Sequence, residues 1–431
     1  MKIGAVVLLL FAATPFRADL HAQNVPSWAL SEAESPEGHL KRIERQTKNG
    51  NKKAAYELGQ MCAFGFPFPV KPDDMYRPLD LEQALHWFEI GAQTSYEKSQ
   101  VAYMYAYGKP FPKNPEAAEH WFRSTGEPLY VFEAGEAYKA AAESDRSQAA
   151  RYYPKATAIF LELQQKTGDP NRRRAQMELG NFVIDGIYSA GNDAAGRTQN
   201  LMLARMIAQE LLGQKLYQMA VEYDIGEEDL PRDTSMWLRY VKRAAAYNID
   251  LAQHFYVEAM GNNTAPDLSG YDYVAWTRIE NDSNGRNKRL LSAVTNRMSQ
   301  QQLQAADAVY RGLQQRREKF GAFYTADDSL LDPAPKALDA MDQDDPDVQL
   351  RRAFFLESVA AKDTEAYERA ISLYRIVRDH RDTDARFVLG RYALTGANGV
   401  PKDRGVALYW LHEAARSGSR PAKTLLNSIK R

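Results

Sequence analysis

The sequence predicts an all-α fold, a right-handed α/α solenoid of stacked antiparallel helix pairs. The first observation is tryptophan placement: Trp87 and Trp121 lie 34 residues apart, and each comes late in a helical pattern, as do Trp276 and Trp410. The second is that alanine and glycine recur at fixed helical positions before these tryptophans. Small residues let two helices approach closely, and a bulky aromatic fills the gap to the next pair. One hairpin cannot bury both of its faces, so recurring hairpins must stack.

The pattern is fullest around Trp410. Its matching positions are Ala385, Leu389, Gly390, Gly396, Gly399, Val400, Asp403, Ala407, Trp410, Ala414, Ala415, Gly418 and Ala422. In this order they resemble the Sel1-like repeat, a tetratricopeptide-related family in which each unit is two antiparallel helices. One departure is an extra residue between Gly396 and Gly399, which implies a slightly altered turn between the helices.

Other segments carry the same scheme less completely. Their matching positions are Ala55, Leu58, Gly59, Gly65, Ala84, Trp87 and Ala92 in one unit, Tyr103, Tyr107, Gly108, Ala118 and Trp121 in the next, and Ala175, Leu179, Gly180 and Gly186 in a third. The first of these units has a proline-rich insertion between its helices. Further on, Trp237 lies one helical turn before the position that tryptophan has in the other units, and Tyr240 occupies that position. The segments around Ala156 and Ala370 resemble more generic helix pairs.

The ends of the helices also have sequence signals. Glycine after the first helix of a unit supplies a left-handed cap. Before the second helix of the fullest unit, Val400 to Asp403 reads Val-Pro-Lys-Asp, and we expect Asp403 to be the N-cap. These signals predict that each unit consists of a helix, a turn with glycine, and a second helix with an N-cap.

The chain divides into four predicted segments: a signal peptide at 1–22, an N-terminal helical-repeat array at 23–320, an acidic linker at 321–347 and C-terminal helical repeats at 348–431. The linker prediction rests on eight aspartates and three prolines with one lysine between Asp327 and Asp347. That composition disfavours helix. The sequence leaves open whether the two arrays touch.

The first residues have the order of a secretory signal peptide. Met1 and Lys2 precede an apolar run from Ile3 to Ala13, which is too short to cross a bilayer as a helix. We expect cleavage near Ala22, with Ala18 as the alternative site and a buried N-terminal helix as the alternative structure. The predicted location is the periplasm or the outside of the cell.

Cys62 is the one cysteine, so no intramolecular disulfide forms, and we interpret it as a packed small side chain.

The charge balance excludes several partners. The chain has 55 Lys and Arg against 56 Asp and Glu, a formal net charge of -1. Without an overall positive field, neither nucleic acid nor an anionic bilayer is an expected partner, and we expect no stable membrane insertion. The predicted partner is another protein, whose identity and binding residues the sequence does not define.

No motif predicts chemistry. We find no His-Glu-x-x-His helix, Gly-x-Ser-x-Gly elbow, phosphate loop or dinucleotide fingerprint. His86 and His120 recur just before tryptophans, as repeat-surface or packing residues do, and His412 is interpreted in the same way. The other histidines of the mature chain, His39, His254 and His380, have no Cys or His at ligand spacing. We therefore predict that the chain is not an enzyme and has no catalytic residues, metal site or cofactor.

Three functions remain as hypotheses. The first is a periplasmic scaffold or adaptor that binds a partner on the concave face of the repeats, as the resemblance implies. The second is an immunity protein that neutralises a periplasm-acting toxic effector such as a lipase. The third is a cell-wall hydrolase, which would need an acid–base pair formed only on folding. Tyr103, Tyr105 and Tyr107 lie on more than one face of a helix, so some of them pack and others are free to line a binding groove.

Overall fold

The computed structural model describes residues 35–66, 79–166, 168–226, 230–262, 270–285, 287–320, 344–380, 382–397 and 400–429. The predicted signal peptide, nearly all of the proline-rich insertion and most of the predicted linker lie outside these residues. Of the residues described, 80% are helical, in 19 α-helices and no strands. The predicted all-α class is confirmed.

The helices fall into two compact units. Unit 1 comprises the residues up to Glu162 together with Asp169–Asn171. Its helices are α1 (Pro36–Lys48), α2 (Lys52–Phe64), α3 (Leu81–Gly91), α4 (Ser95–Tyr107), α5 (Pro115–Ser124), α6 (Pro128–Ser144) and most of α7 (Ala149–Gln165). Neighbours along the chain pack as hairpins, α2 against α3 and α4 against α5.

Unit 2 comprises Leu163–Gly168 and the residues from Arg172 onward. Its helices are α8 (Arg172–Ile184), α9 (Ala194–Ile225), α10 (Thr234–Ala246), α11 (Asp250–Gly261), α12 (Gly270–Asn284), α13 (Lys288–Thr295), α14 (Gln300–Phe320), α15 (Pro346–Ala360), α16 (Thr364–Asp379), α17 (Asp382–Thr395), α18 (Arg404–Arg416) and α19 (Arg420–Ile429).

The second helix of a repeat hairpin is held at its start by one recurring arrangement. The Asp403 carboxylate accepts a hydrogen bond from the backbone N–H of Val406 at 3.0 Å, while its own N–H donates to the carbonyl of Ala393 on the first helix at 2.9 Å. The predicted N-cap is therefore confirmed. The same pair of bonds is made by Asp80, Asn114 and Asp233. One Asp or Asn thus starts the second helix and ties it to the first.

The predicted close approach of the two helices is confirmed at the glycine positions. A methyl group added to Gly59 would lie 2.8 Å from the ring of Phe88, and one added to Gly390 would lie 2.6 Å from Leu411. Phe88 and Leu411 each follow the tryptophan of their unit and are fully buried. The residue after the tryptophan therefore fills the space that the glycine leaves.

The tryptophan register is confirmed, with one difference in burial. Trp410 lies seven residues after its N-cap and is fully buried, and Tyr240 lies seven after Asp233 and is also buried. Trp87 has the same register but is only partly buried, since it packs at the edge of the cluster around Ile43. Cys62 is buried, which agrees with its interpretation as a packing residue.

Within unit 2 the C-terminal helices pack against α8 and α9. Arg375 on α16 donates from Nε to the carbonyl of Ile184 at 3.0 Å, and the indole N–H of Trp410 on α18 donates to the hydroxyl of Tyr223 on α9 at 3.1 Å. Helices on both sides of the predicted linker therefore lie in one compact unit. The boundaries at 320 and 347 stay a prediction, since residues 321–343 are outside those described.

A largely buried ion pair lies in this interface. Arg205 on α9 donates from Nη1 to the carboxylate of Glu357 on α15 at 2.7 Å, and the hydroxyl of Tyr374 donates to the other carboxylate oxygen. Burial raises the pKa of Glu357, and the charge of Arg205 and the hydrogen bond from Tyr374 oppose that rise. Arg205 therefore keeps a costly buried carboxylate compensated.

Removing Arg205 should destabilise unit 2 in a pH-dependent way. We expect Arg205→Leu to lower the free energy of unfolding by about 3 kcal/mol near neutral pH, because Glu357 is left buried and unpaired. A carboxyl with a raised folded-state pKa binds its proton more readily in the folded chain than in the unfolded one. The loss should therefore shrink as the pH falls through that raised pKa.

The measurement is urea unfolding at about pH 7 and about pH 5, reported as the difference from the unmodified chain at each pH. Arg232→Leu is the matched control, because Arg232 pairs with Asp224 at 2.6 Å on an exposed surface of the same unit. Its effect should stay within about 0.5 kcal/mol at both pH values. An equal loss for Arg205→Leu at both pH values would contradict the account.

Candidate functional site

The tyrosines of α4 have different environments. Tyr105 is 8% exposed and stacks on Phe111, with ring centroids 4.5 Å apart. Tyr107 is 50% exposed, and Tyr96 at the start of the same helix is 55% exposed. The structure thus distinguishes one buried, packing tyrosine from tyrosines that are exposed to a binding partner. The sequence alone could not make this distinction.

Tyr103 and Tyr107 form a stacked pair, with ring centroids 5.7 Å apart and an interplanar angle of 8°. Tyr103 also meets Phe122 of α5 edge to face, at 5.0 Å and 81°. Since Phe122 is fully buried, the exposed ring of Tyr107 is held through Tyr103 by the core of the hairpin. The pair therefore presents a preorganised aromatic surface.

The outward positions of α4 follow one stripe along the helix. Tyr96, Gln100, Tyr103 and Tyr107 recur at spacings of four and three residues, so they lie on one face. Each is at least partly exposed. We name these four residues the tyrosine face. It combines large rings, hydroxyl groups and one amide, which suits contact with another polypeptide.

The surroundings of Tyr107 favour the neutral form of its hydroxyl group. Burial of part of its ring, followed by the charge of Glu133 on α6, raises the pKa of Tyr107. Tyr56 on α2 lies close to the other end of the stripe, and its pKa is raised by burial, then by Glu97 and Tyr96. Tyr107 therefore offers an uncharged hydroxyl donor near the carboxylate of Glu133.

The histidines that recur before tryptophans are surface residues. His86 and His120 are exposed, and each ring lies near its own tryptophan, with centroids 4.7 Å and 6.2 Å apart. His412 is also exposed. This agrees with their interpretation as repeat-surface positions.

The remaining histidines lie beside carboxylates. The His39 Nε2 to Glu57 Oε1 distance is 2.9 Å, and the His254 Nδ1 to Glu280 Oε1 distance is also 2.9 Å. Glu280 is fully buried and also accepts a hydrogen bond from the side chain of Asn287. These pairs could not be predicted from the sequence, because their members are 18 and 26 residues apart and no motif links them.

Among the residues that the structure describes, no group of three or more His, Cys, Asp or Glu side chains could hold a metal ion. Among the same residues, no helix is long and apolar enough to cross a membrane.

The fold and the recurring hairpin define a helical-repeat protein. A family model described as Sel1 repeat matches residues 52–93, 99–127 and 383–419. These stretches cover the hairpin α2–α3 and most of the hairpins α4–α5 and α17–α18. The three stretches are Sel1 repeats, and the resemblance predicted from the sequence is confirmed. The tyrosine face lies on the first helix of the second repeat.

Two solved structures are similar to the chain. One is a protective antigen of uropathogenic Escherichia coli strains that displays an SLR fold. Its sequence is 18% identical, the match covers 92% of this chain and 75% of that chain, and the TM-score is 0.23. The other is a Sel1 repeat protein from Oxalobacter formigenes, with 16% identity, 93% and 95% covered, and a TM-score of 0.28. Scores this low add no argument about the arrangement of the repeats. No curated protein matches the chain.

The two tyrosines should differ sharply in their contribution to stability. We expect Tyr105→Ala to lower the free energy of unfolding by about 3 kcal/mol, because it removes a buried ring from the hairpin. Tyr107→Ala should cost less than about 1 kcal/mol, because half of that ring is exposed and only its stack on Tyr103 is lost.

Urea unfolding of both variants against the unmodified chain checks this expectation, since the two changes delete the same atoms from one helix. Equal losses at the two positions would mean that Tyr107 is a packing residue and that the tyrosine face is not available to a partner.

Proposed function

We propose that the chain is a periplasmic or secreted scaffold that binds another protein through the tyrosine face of its second Sel1 repeat. The observation that carries the proposal is the exposed, stacked pair of Tyr103 and Tyr107. Sel1 repeats imply protein binding, and this pair is where the second repeat combines exposure with a fixed conformation.

Tyrosine is suited to this role for a physical reason. It gives a large contact area while only two side-chain torsions have to be fixed on binding. The stack against Tyr103 and the contact of Tyr103 with Phe122 hold those torsions before a partner arrives. Preorganisation of this kind lowers the entropic cost of association. Binding through ring surfaces also fits a chain whose net charge provides no long-range steering.

Export is part of the proposal and is supported by the order of the N-terminal residues, from Lys2 through the apolar run to Ala22. The non-catalytic role is supported by the match of three stretches of the chain to the Sel1 repeat. The immunity-protein and hydrolase hypotheses stay predictions. An immunity protein would use the proline-rich insertion and the acidic linker for specificity. Both segments lie mostly outside the described residues, so no observation favours that function.

The proposal is tested by capture of the mature chain, residues 23–431, from a periplasmic extract of its own host, followed by affinity measurement with the protein recovered. The double variant Tyr103→Ala/Tyr107→Ala should bind that protein about tenfold more weakly or worse, because interface tyrosines are frequent hot spots. Circular dichroism and urea unfolding show that the variant is folded.

Phe355→Ala is the matched control. Phe355 is an aromatic residue of unit 2 with 47% exposure, similar to that of Tyr107. We expect no change in affinity for this variant. Equal affinity of the double variant and the unmodified chain would contradict the proposal, as would a loss of the same size in Phe355→Ala.

A further inference from the structure

Unit 2 contains a cavity of about 450 Å³ between α12, α13 and α14. Its apolar walls are formed by Val274 on α12, Leu290, Ala293 and Val294 on α13, and Met298 just before α14. Binding sites for small molecules have roughly 300–1,000 Å³ and are mostly apolar with a few polar groups. The size and lining of this cavity therefore fit a small ligand better than a protein segment.

Helix α13 contributes apolar side chains without burying them. None of its residues is fully buried, and Leu290, which lines the cavity, is 38% exposed. Val294, one turn further on, is only partly buried. Apolar side chains on the wall of an open cavity are stabilised when an apolar ligand removes them from water.

Of the described residues that line the cavity, one is charged, Arg297, and it is exposed. Among the residues that the structure describes, its guanidinium makes no hydrogen bond, ion pair or ring contact. Arg278 on α12 is different, since it pairs with Asp307 and lies over the ring of Tyr310. A guanidinium without a partner among the described residues is well suited to pair with a carboxylate or phosphate group of a ligand.

We infer that this cavity binds a single-chain amphiphile, an aliphatic chain that carries one anionic head group. The chain lies against Leu290, Val294 and Met298, and the head group pairs with Arg297 at the mouth. The hydroxyl of Tyr271, which also lines the cavity and makes no hydrogen bond within the described residues, is a second donor. This site is separate from the tyrosine face and does not depend on the proposed function.

The chemistry of the head group and of the chain can be tested separately by isothermal titration calorimetry on the full chain, with each amphiphile below its micelle-forming concentration. Decanoate should bind about fifteenfold more tightly than octanoate, because two more methylene groups are buried. Decanol, which has the chain of decanoate without the charge, should bind about tenfold more weakly than decanoate. Decyl phosphate distinguishes a phosphate head group from a carboxylate, and the tighter of the two ligands identifies the natural class.

Arg297→Gln should weaken decanoate about tenfold and leave decanol unchanged. Arg289→Gln is the matched control, because Arg289 is an exposed arginine on α13 that does not line the cavity, and it should leave both affinities unchanged. Circular dichroism verifies that both variants are folded.

Three outcomes would overturn the inference. The first is equal affinity for octanoate and decanoate, which would mean that no chain is buried. The second is an equal loss in the two arginine variants, which would indicate general attraction by surface charge. The third is binding to anionic vesicles without binding to decanoate or decyl phosphate, which would make α13 a membrane-surface element.

Discussion

The close approach of two helices within each hairpin is the constraint on which the repeats depend. Gly59 and Gly390 leave gaps on their first helices, and Phe88 and Leu411 on the second helices fill them. A side chain at either glycine would push the helices apart. The N-cap residues then fix the point along the first helix at which the second helix begins. Each of them caps the second helix, and its backbone N–H donates to a carbonyl of the first helix.

This constraint decides which residues remain for function. One face of each helix is committed to packing, and the residue after the tryptophan is buried against the glycine in the first and the C-terminal repeat. The outward stripe of a first helix is free to vary, as are exposed positions of a second helix such as His86 and His120. On α4 that stripe carries tyrosines, and the inward Phe122 supports the pair of Tyr103 and Tyr107. The rigid hairpin therefore presents an aromatic surface that needs little ordering when a partner binds.

Features set by local sequence could be predicted. Asp403 as an N-cap, Tyr240 in the tryptophan register and the glycine positions all follow from patterns within one unit. The packing of α15, α16 and α18 on α8 and α9 could not be predicted, because its contacts join residues more than 150 positions apart, such as Arg205 with Glu357. Which of three tyrosines is exposed also depends on the neighbouring helix and not on α4 alone.

The most direct test of the account is a double-mutant cycle between Gly59 and Phe88, measured by urea unfolding. Gly59→Ala alone should lower the free energy of unfolding by about 1–3 kcal/mol, because the new methyl group meets the ring of Phe88. In a Phe88→Ala background the same change should be neutral or stabilise by up to about 1 kcal/mol, since alanine favours helix and the gap is then empty. If the two changes instead add to within about 0.5 kcal/mol, the hairpin does not depend on this fit, and the account is wrong.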